Sequence, residues 1–414
     1  MEYRDHSLYL EDTPLADIAR REGTPCYVYS HATILDRFRA YNQAFGDVPH
    51  KICYAVKANS NLAILKLLAE AGAGFDIVSG GELFRVLQAG ADPQTVIFSG
   101  VGKTSQELDY ALEHEIRSFN CESEPELTLI DALASRRDVN ARVALRVNPD
   151  VDASTHPYIS TGLRQHKFGI DIREAEAVYE RARSLPNLVL DGVSCHIGSQ
   201  ITDIAPMLQV FDKMIVLVER LRARGIPIRT LDLGGGLGVA YKPGDPALSI
   251  CEFIQAMCQR TARHGLAILI EPGRSIVAEA GLLLTRVLYR KTNGERQFVV
   301  VDAAMNDLIR PALYQSHHEI VPLRQNQAPE NQAGTITADV VGPVCESGDF
   351  LARDREMANV MPGDLLAVCT AGAYGFVAAS NYNSRPRPPE ILVEGDRFRV
   401  VRKREKYEDL IRGE

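Results

Sequence analysis

The chain has 414 residues, 45% hydrophobic and 24% charged, ordinary globular values with length for two or three domains. That composition excludes a wholly disordered, collagen-like or coiled-coil chain. A net charge of −8 gives no broad electrostatic reason to hold nucleic acid or anionic membrane, so an anionic ligand needs a local site. The opening MEYRDHSLYLEDTP is charged where a signal peptide needs an apolar run, and no apolar run approaches the roughly 20 residues that span a bilayer. The eight cysteines include no CxxC pair, which disfavours zinc and thioredoxin-like readings; the expectation is reduced thiols in a cytoplasmic protein without a metal.

In chain order, TPCYVYS (24–30) is strand-like and precedes the alternating region, free to pair with a later segment. Short β-branched runs then alternate with amphipathic stretches. The expected strands are KICYAV (51–56), GFDIV (74–78), TVIF (95–98), IRSFN (116–120), RVALRV (142–147), LDGVSCHI (190–197), RTLDLG (229–234) and AILIEP (267–272). Helical patterns lie between most of them, such as 60–72, 79–91 and the long 207–225, which ends in a basic turn and a glycine. Eight βα units in such a span predict a (β/α)8 barrel. A doubly wound open sheet is the alternative, weakened because no GxGxxG follows the first strand. After residue 275 the helical pattern thins, and GLLLTRVLYRKT, RQFVVVDA, GTITADVVGPV, DLLAVCTAG and DRFRVVRKRE read as strands. The expected organisation is a barrel over 28–275 and a second, mainly β C-terminal domain of 276–414 joined by residues 1–27. The polar stretch 321–334 reads as an exposed loop, and RPRPPE (385–390) as a stiff surface connector.

A barrel of this kind carries its active site at the carboxyl ends of its strands. Lys57 follows the first strand; lysine at such a place is usually a solvated charge, but it is also the residue that bonds covalently to a carbonyl cofactor. The second strand ends at Asp76, and the fifth carries Arg146. The sixth ends in His196-Ile197-Gly198-Ser199, where the flat ring could stack on a planar cofactor. Gly234-Gly235-Gly236 ends the seventh strand and Glu271-Pro272-Gly273-Arg274 the eighth. Loops after strands seven and eight are where barrels often bind phosphate, and consecutive glycines let backbone N–H groups meet an anion. Glu271 suits the ring nitrogen of pyridoxal phosphate, since a carboxylate there keeps that nitrogen protonated. In the tail, Arg310 and Tyr314 lie four residues apart, Cys345 and Glu346 share a turn-rich segment, and Tyr374 sits between small residues.

YAVKAN, HIGSQ, DLGGGLG, EPGRSIV, MNDLIRPALY, GPVCESGD and AYG followed by SNYNSRPRP, in this order over about residues 8 to 405, resemble the diaminopimelate decarboxylase family, pyridoxal-phosphate enzymes of fold type III. Ala304 stands where that family more often has glycine. The resemblance implies that Lys57 carries the cofactor, that His196 stacks on it, and that Ser199, Gly235, Gly236, Gly273 and Arg274 cradle its phosphate. Glu271 faces the pyridine nitrogen, with Asp76 and Arg146 also counted among the cofactor residues. Arg274, Arg310 and Tyr314 become substrate carboxylate ligands, Glu346 meets the distal amine, and Tyr374 touches cofactor and substrate. Cys345 becomes the acid that reprotonates the α-carbon. The implied reaction is decarboxylation of meso-2,6-diaminopimelate to L-lysine and CO2. A homodimer with Cys345 and Glu346 supplied across a shared active site follows from the same analogy. An ornithine- or arginine-type decarboxylase is the nearest rival, but its distal pocket wants acidic residues and no arginine. An alanine racemase needs a second base and no distal clamp. A non-catalytic pyridoxal-phosphate-binding barrel lacks a long β tail.

Overall fold

The computed structural model describes residues 1–151, 167–261, 263–325 and 334–414. The chain divides into two compact units: Met1–Asp36 with Ala240–Asp245 and Ile276–Glu414, and Arg37–Val239 with Pro246–Ser275. The β-rich unit thus runs to Asp36 and takes in 240–245, where the sequence suggests limits of 1–27 and 276–414.

In the other unit, the described residues form eight parallel barrel strands: β1 His50–Ala55, β2 Gly74–Ile77, β3 Val96–Phe98, β4 Ser118–Cys121, β5 Ala141–Asn148, β6 Leu188–Ser194, β7 Thr230–Asp232 and β8 Ala267–Ile270. Each pairs with the next, β8 pairs with β1, and β4 with β5 closes the ring, so a (β/α)8 barrel and not an open sheet results. The strands are short, apolar and buried on both faces, the pattern of a parallel sheet covered by helices. Their polar exceptions fall where the chain leaves the ring. Helices begin promptly after several strands because a side chain caps them. Asn61, Ser79, Thr104, Ser123 and Asp171 accept N–H bonds from the first turns of Leu62–Glu70, Gly80–Gln88, Ser105–Glu113, Glu124–Arg137 and Ile172–Ala182. The caps fix where each strand-to-helix loop ends. Cys53, Ile97 and Leu269 pack as an apolar cluster of β1, β3 and β8 residues.

The mainly β unit is built on a sheet in the order Phe350–Ala358, Thr335–Val341, Arg296–Val301, Gly281–Asn293, Cys26–Ser30, Glu390–Glu394, Arg397–Arg402, with Ile320–Pro322 and Leu365–Val368 joined off that path. Cys26–Ser30 runs antiparallel to Gly281–Leu284 and parallel to Glu390–Val393, so the early strand is central to the tail's sheet. Leu8, Leu10, Leu15 and Ile18 pack with Val28, Leu282, Leu284, Ile391 and Val393 as its core. Two expectations need correction. Part of the polar 321–334 stretch is strand, since Val321 and Pro322 pair with Ala367 and Leu366; 326–333 lie outside the described residues. The proline-rich 385–389 segment is not merely a solvated connector. Arg385 bonds Asn306 Oδ1 at 3.1 Å and the Asp302 carbonyl at 2.6 Å, and Arg387 clasps Glu405. All eight cysteines are free thiols, and burial pushes those of Cys26 and Cys369 up to about 12, which makes them poor nucleophiles. Among the described residues, no helix is long and apolar enough to cross a membrane.

Candidate active site

The barrel's carboxyl end is polar and acidic. Asp76 on β2, Ser99 after β3, Asn120 on β4, Asp232 on β7 and Glu271 after β8 are all buried. Lys57 lies in the 3₁₀ turn Val56–Ala58 that follows β1 directly. Its Nζ donates to Asp76 Oδ2 at 2.6 Å, the ammonium half-open and the carboxylate fully enclosed. The other carboxylate oxygen, Asp76 Oδ1, is buried with no hydrogen-bond partner among the described residues, a costly arrangement for a charged group.

Glu271 and Asp232 hydrogen-bond to each other. Asn120 Nδ2 donates to Asp232 Oδ2 at 2.7 Å and Glu271 Oε1 at 3.1 Å, while Ser99 Oγ reaches Glu271 Oε1 at 3.3 Å. Burial, then repulsion from Asp232 and Asp76, pushes the Glu271 carboxyl well above its usual range; burial likewise raises Asp232. Two buried carboxyls this close hold a proton between them. Asp232 Oδ1 also accepts the Gly234 N–H at 2.9 Å, tying the pair to the glycine turn.

That turn needs its glycines. Gly234 and Gly236 hold φ of +65° and +108°, which side chains adopt at a cost. Gly235 lies so close to the β8 exit that a Cβ would sit 2.3 Å from the Glu271 carbonyl oxygen. Gly235→Ala is therefore expected to cost about 1–3 kcal/mol of stability through overpacking. Cofactor retention should fall at least tenfold, read by dialysis and fluorescence titration; unchanged retention would remove this turn from the cofactor's cradle. Gly235 N donates to His196 Nδ1 at 3.3 Å, so that nitrogen is the acceptor. Burial, then the nearby cations Arg146 and Lys57, holds the ring well below the usual histidine pKa, so it stays neutral. A neutral ring suits stacking.

Arg274 and Ser199 meet: Nε and Nη2 donate to the hydroxyl at 3.2 and 3.0 Å. Gly273 packs against Ala55 and Ala58 beside the lysine turn. Arg146 is engaged through Nη1 with Glu122 Oε1 at 2.8 Å and lies 4.7 Å from the Phe168 ring centre. In the barrel unit, then, the structure gathers Lys57 with Asp76, His196 with the glycine turn, and Arg274 with Ser199. It joins Glu271 to Asp232, Asn120 and Ser99, none of which stood out in the sequence. An aspartate ending a three-residue, doubly buried strand is the signal that could have found Asp232.

The tail residues belong to the other unit. Arg310 and Tyr314 open and close the helix Arg310–Tyr314, the first buried and the second partly so. Cys345 and Glu346 are exposed; Cys345 N donates to Asn383 Oδ1 at 2.8 Å, and Glu346 Oε2 accepts from Tyr382 Oη at 3.5 Å. Tyr374 holds a left-handed φ of +57°, backbone strain of a kind that persists where surroundings impose it, often at functional sites.

The barrel residues fit pyridoxal phosphate. The orphaned Asp76 Oδ1 and the proton-sharing carboxyl pair ask for a hydrogen-bond-donating, cationic guest, which a protonated pyridine ring is. The glycine turn leaves backbone room for a phosphate, and Lys57 offers an amine. Residues 31–278 match the model of the pyridoxal binding domain of pyridoxal-dependent decarboxylases, which sets the class of enzyme.

Full-length relatives narrow it. The chain is 54% identical to a diaminopimelate decarboxylase of Pseudomonas aeruginosa, over 100% of this chain and 98% of the other. It is 52% identical to one of Vibrio cholerae, over 98% and 96%. The crystal structure of diaminopimelate decarboxylase from Helicobacter pylori complexed with L-lysine superimposes with a TM-score of 0.92 at 42% identity, covering 96% of this chain and 98% of the other. The chain belongs to the diaminopimelate decarboxylase family.

Proposed function

We propose that the chain decarboxylates meso-2,6-diaminopimelate at its D-configured carbon, giving L-lysine and CO2 in the last step of lysine biosynthesis in the cytoplasm. The observation that carries this reading is Lys57 at the barrel mouth, clasped by a buried carboxylate whose second oxygen has no partner among the described residues. The likeness of the whole chain to enzymes of that name supports the choice of substrate.

Bound pyridoxal phosphate supplies an electron sink for the pair left behind as CO2 departs. Lys57 would carry it, and Asp76, which holds the free Lys57 Nζ at 2.6 Å, orients the amine that would bond to it. Glu271, steadied by Asp232 and Asn120, holds the proton of the pyridine nitrogen. Ser199, Gly235, Gly236 and Gly273 would hold the phosphate with Arg274 as the cation, and the His196 ring would stack on the cofactor. Arg146, held by Glu122, would be a further cofactor residue. Arg310, Tyr314 and Arg274 would take carboxylates, Glu346 the distal ammonium, and Tyr374 would touch both substrate and cofactor. A site built for charged groups rejects substrates lacking them far more strongly than an apolar pocket can.

Cys345 returns a proton to the α-carbon. The reading includes a homodimer in which Cys345 and Glu346 serve the second copy's site. Their exposure supports it, as do Leu313, Val377 and Tyr382, large side chains left exposed on the same unit. Mixing Lys57→Ala with Cys345→Ala chains should restore part of the activity; no recovery after demonstrated subunit exchange would contradict shared sites. The direct test of the activity is incubation with pyridoxal phosphate and meso-diaminopimelate. Lysine and CO2 are expected; release of CO2 from ornithine or arginine instead would overturn the reading.

A further inference from the structure

Arg310 is a buried cation whose orientation is set by neighbours in its own unit. Nη1 lies 3.1 Å from His318 Nε2, Nη2 donates to Ser316 Oγ at 3.3 Å, and the guanidinium carbon sits 4.4 Å from the Tyr241 ring centre. The Tyr241 ring stands edge-on to His318, centroids 5.4 Å apart at 76°, so one aromatic pair frames the cation on two sides.

The protonation of His318 follows from its partners. The ring has no exposed surface. Nδ1 lies 2.8 Å from the Cys369 carbonyl oxygen, which only accepts, so Nδ1 carries the hydrogen. Arg310 only donates, so Nε2 must present its lone pair. A neutral ring with its hydrogen on Nδ1 satisfies both neighbours, and a charged ring would set two cations face to face. Arg355 Nη1 donates to the His318 carbonyl at 2.7 Å and fixes the backbone behind the ring.

We infer that His318 is a positioning residue for substrate specificity: its Nε2 lone pair orients the Arg310 guanidinium for the carboxylate at the non-reacting end of the substrate. Sequence reasoning had no view of this, because nothing in SHHEI separates a surface histidine pair from a buried ring. The inference rests on the reading of Arg310 as the ligand of that distal carboxylate.

L-lysine keeps the distal carboxylate and amine; cadaverine lacks the carboxylate. Calorimetric titration of the holoenzyme with each therefore isolates the grip on that group. The wild type should prefer L-lysine, and Arg310→Ala should erase the preference. His318→Asn keeps a donor for the Cys369 carbonyl but no acceptor for Arg310. It should weaken L-lysine binding tenfold or more and leave cadaverine within twofold. His318→Gln carries an acceptor near the Nε2 position and should stay within about threefold of the wild type for both. Tyr241→Leu spares the buried histidine and should weaken L-lysine alone by a few-fold, which covers the case of an unfolded His318→Asn. Unaltered L-lysine binding in His318→Asn and Tyr241→Leu would overturn the inference, as would equal weakening of both ligands, the mark of a merely structural role. If Arg310→Ala erases the preference while His318 variants do not, only the role of His318 falls. If Arg310→Ala keeps the preference, the reading of Arg310 falls and the inference with it.

Discussion

Lys57→Ala is expected to lower kcat by roughly three orders of magnitude or more, the scale on which loss of a nucleophile is felt. The visible absorbance of lysine-bound pyridoxal phosphate should vanish with it. The structure adds a second consequence. Asp76 is wholly buried, and among the described residues its ionic partner is Lys57 Nζ at 2.6 Å. Removing that ammonium leaves both carboxylate oxygens of Asp76 without their cation, an arrangement that costs about 1–3 kcal/mol or more. Lys57→Ala should therefore lose stability as well as activity, and the double variant Lys57→Ala/Asp76→Asn should regain the stability alone. Thermal unfolding separates the two effects. Added small amines should restore some turnover to Lys57→Ala, since the missing group is an amine. Retained absorbance and near-normal kcat in Lys57→Ala would show that the cofactor is anchored elsewhere.

Glu271→Ala should have the second largest effect, a fall in kcat of roughly 10²–10³-fold, the usual scale for deleting one group that stabilises developing charge. Glu271 is held high by burial, then by Asp232 and Asp76. A protonated pyridine binds best once the Glu271–Asp232 pair has given up its proton, so cofactor affinity should decline as the pH falls and the pair takes one up. Asp232→Asn removes the nearer of the two repelling charges, so Glu271 ionises at lower pH. The acidic limb of cofactor affinity should then move to lower pH, while Glu271→Gln should flatten it. Fluorescence titration of the apoenzyme with pyridoxal phosphate across pH reads both; an unmoved limb in Asp232→Asn would break the assigned coupling.

Much of the barrel was legible because parallel strands buried on both faces leave short, mainly apolar runs, as in β1 and β5. The positions where those runs end, Lys57, Asp76, Gly235 and Glu271, were legible for the same reason: polar residues stand out against an apolar strand. Asn120 and Ser99 were hidden because a small polar side chain inside a ring of strands reads like any strand terminus. Their meaning depends on Asp232 and Glu271, distant in sequence. Phe350–Ala358 was missed because its centre, Arg353-Asp354-Arg355-Glu356, is four consecutive charges, which read as a helix surface or loop as readily as an edge strand. The central strand Cys26–Ser30 shows the limit of local patterns. Its partners lie more than 250 residues away, and only pairing reveals that an early segment completes the tail's sheet.

Reduction of the holoenzyme with borohydride, followed by peptide mass spectrometry, tests the heart of the account most directly. A pyridoxyl mass on Lys57 is expected, competed away when meso-diaminopimelate is present during reduction. A mass on any other lysine, or none on a protein that binds the cofactor, would contradict it.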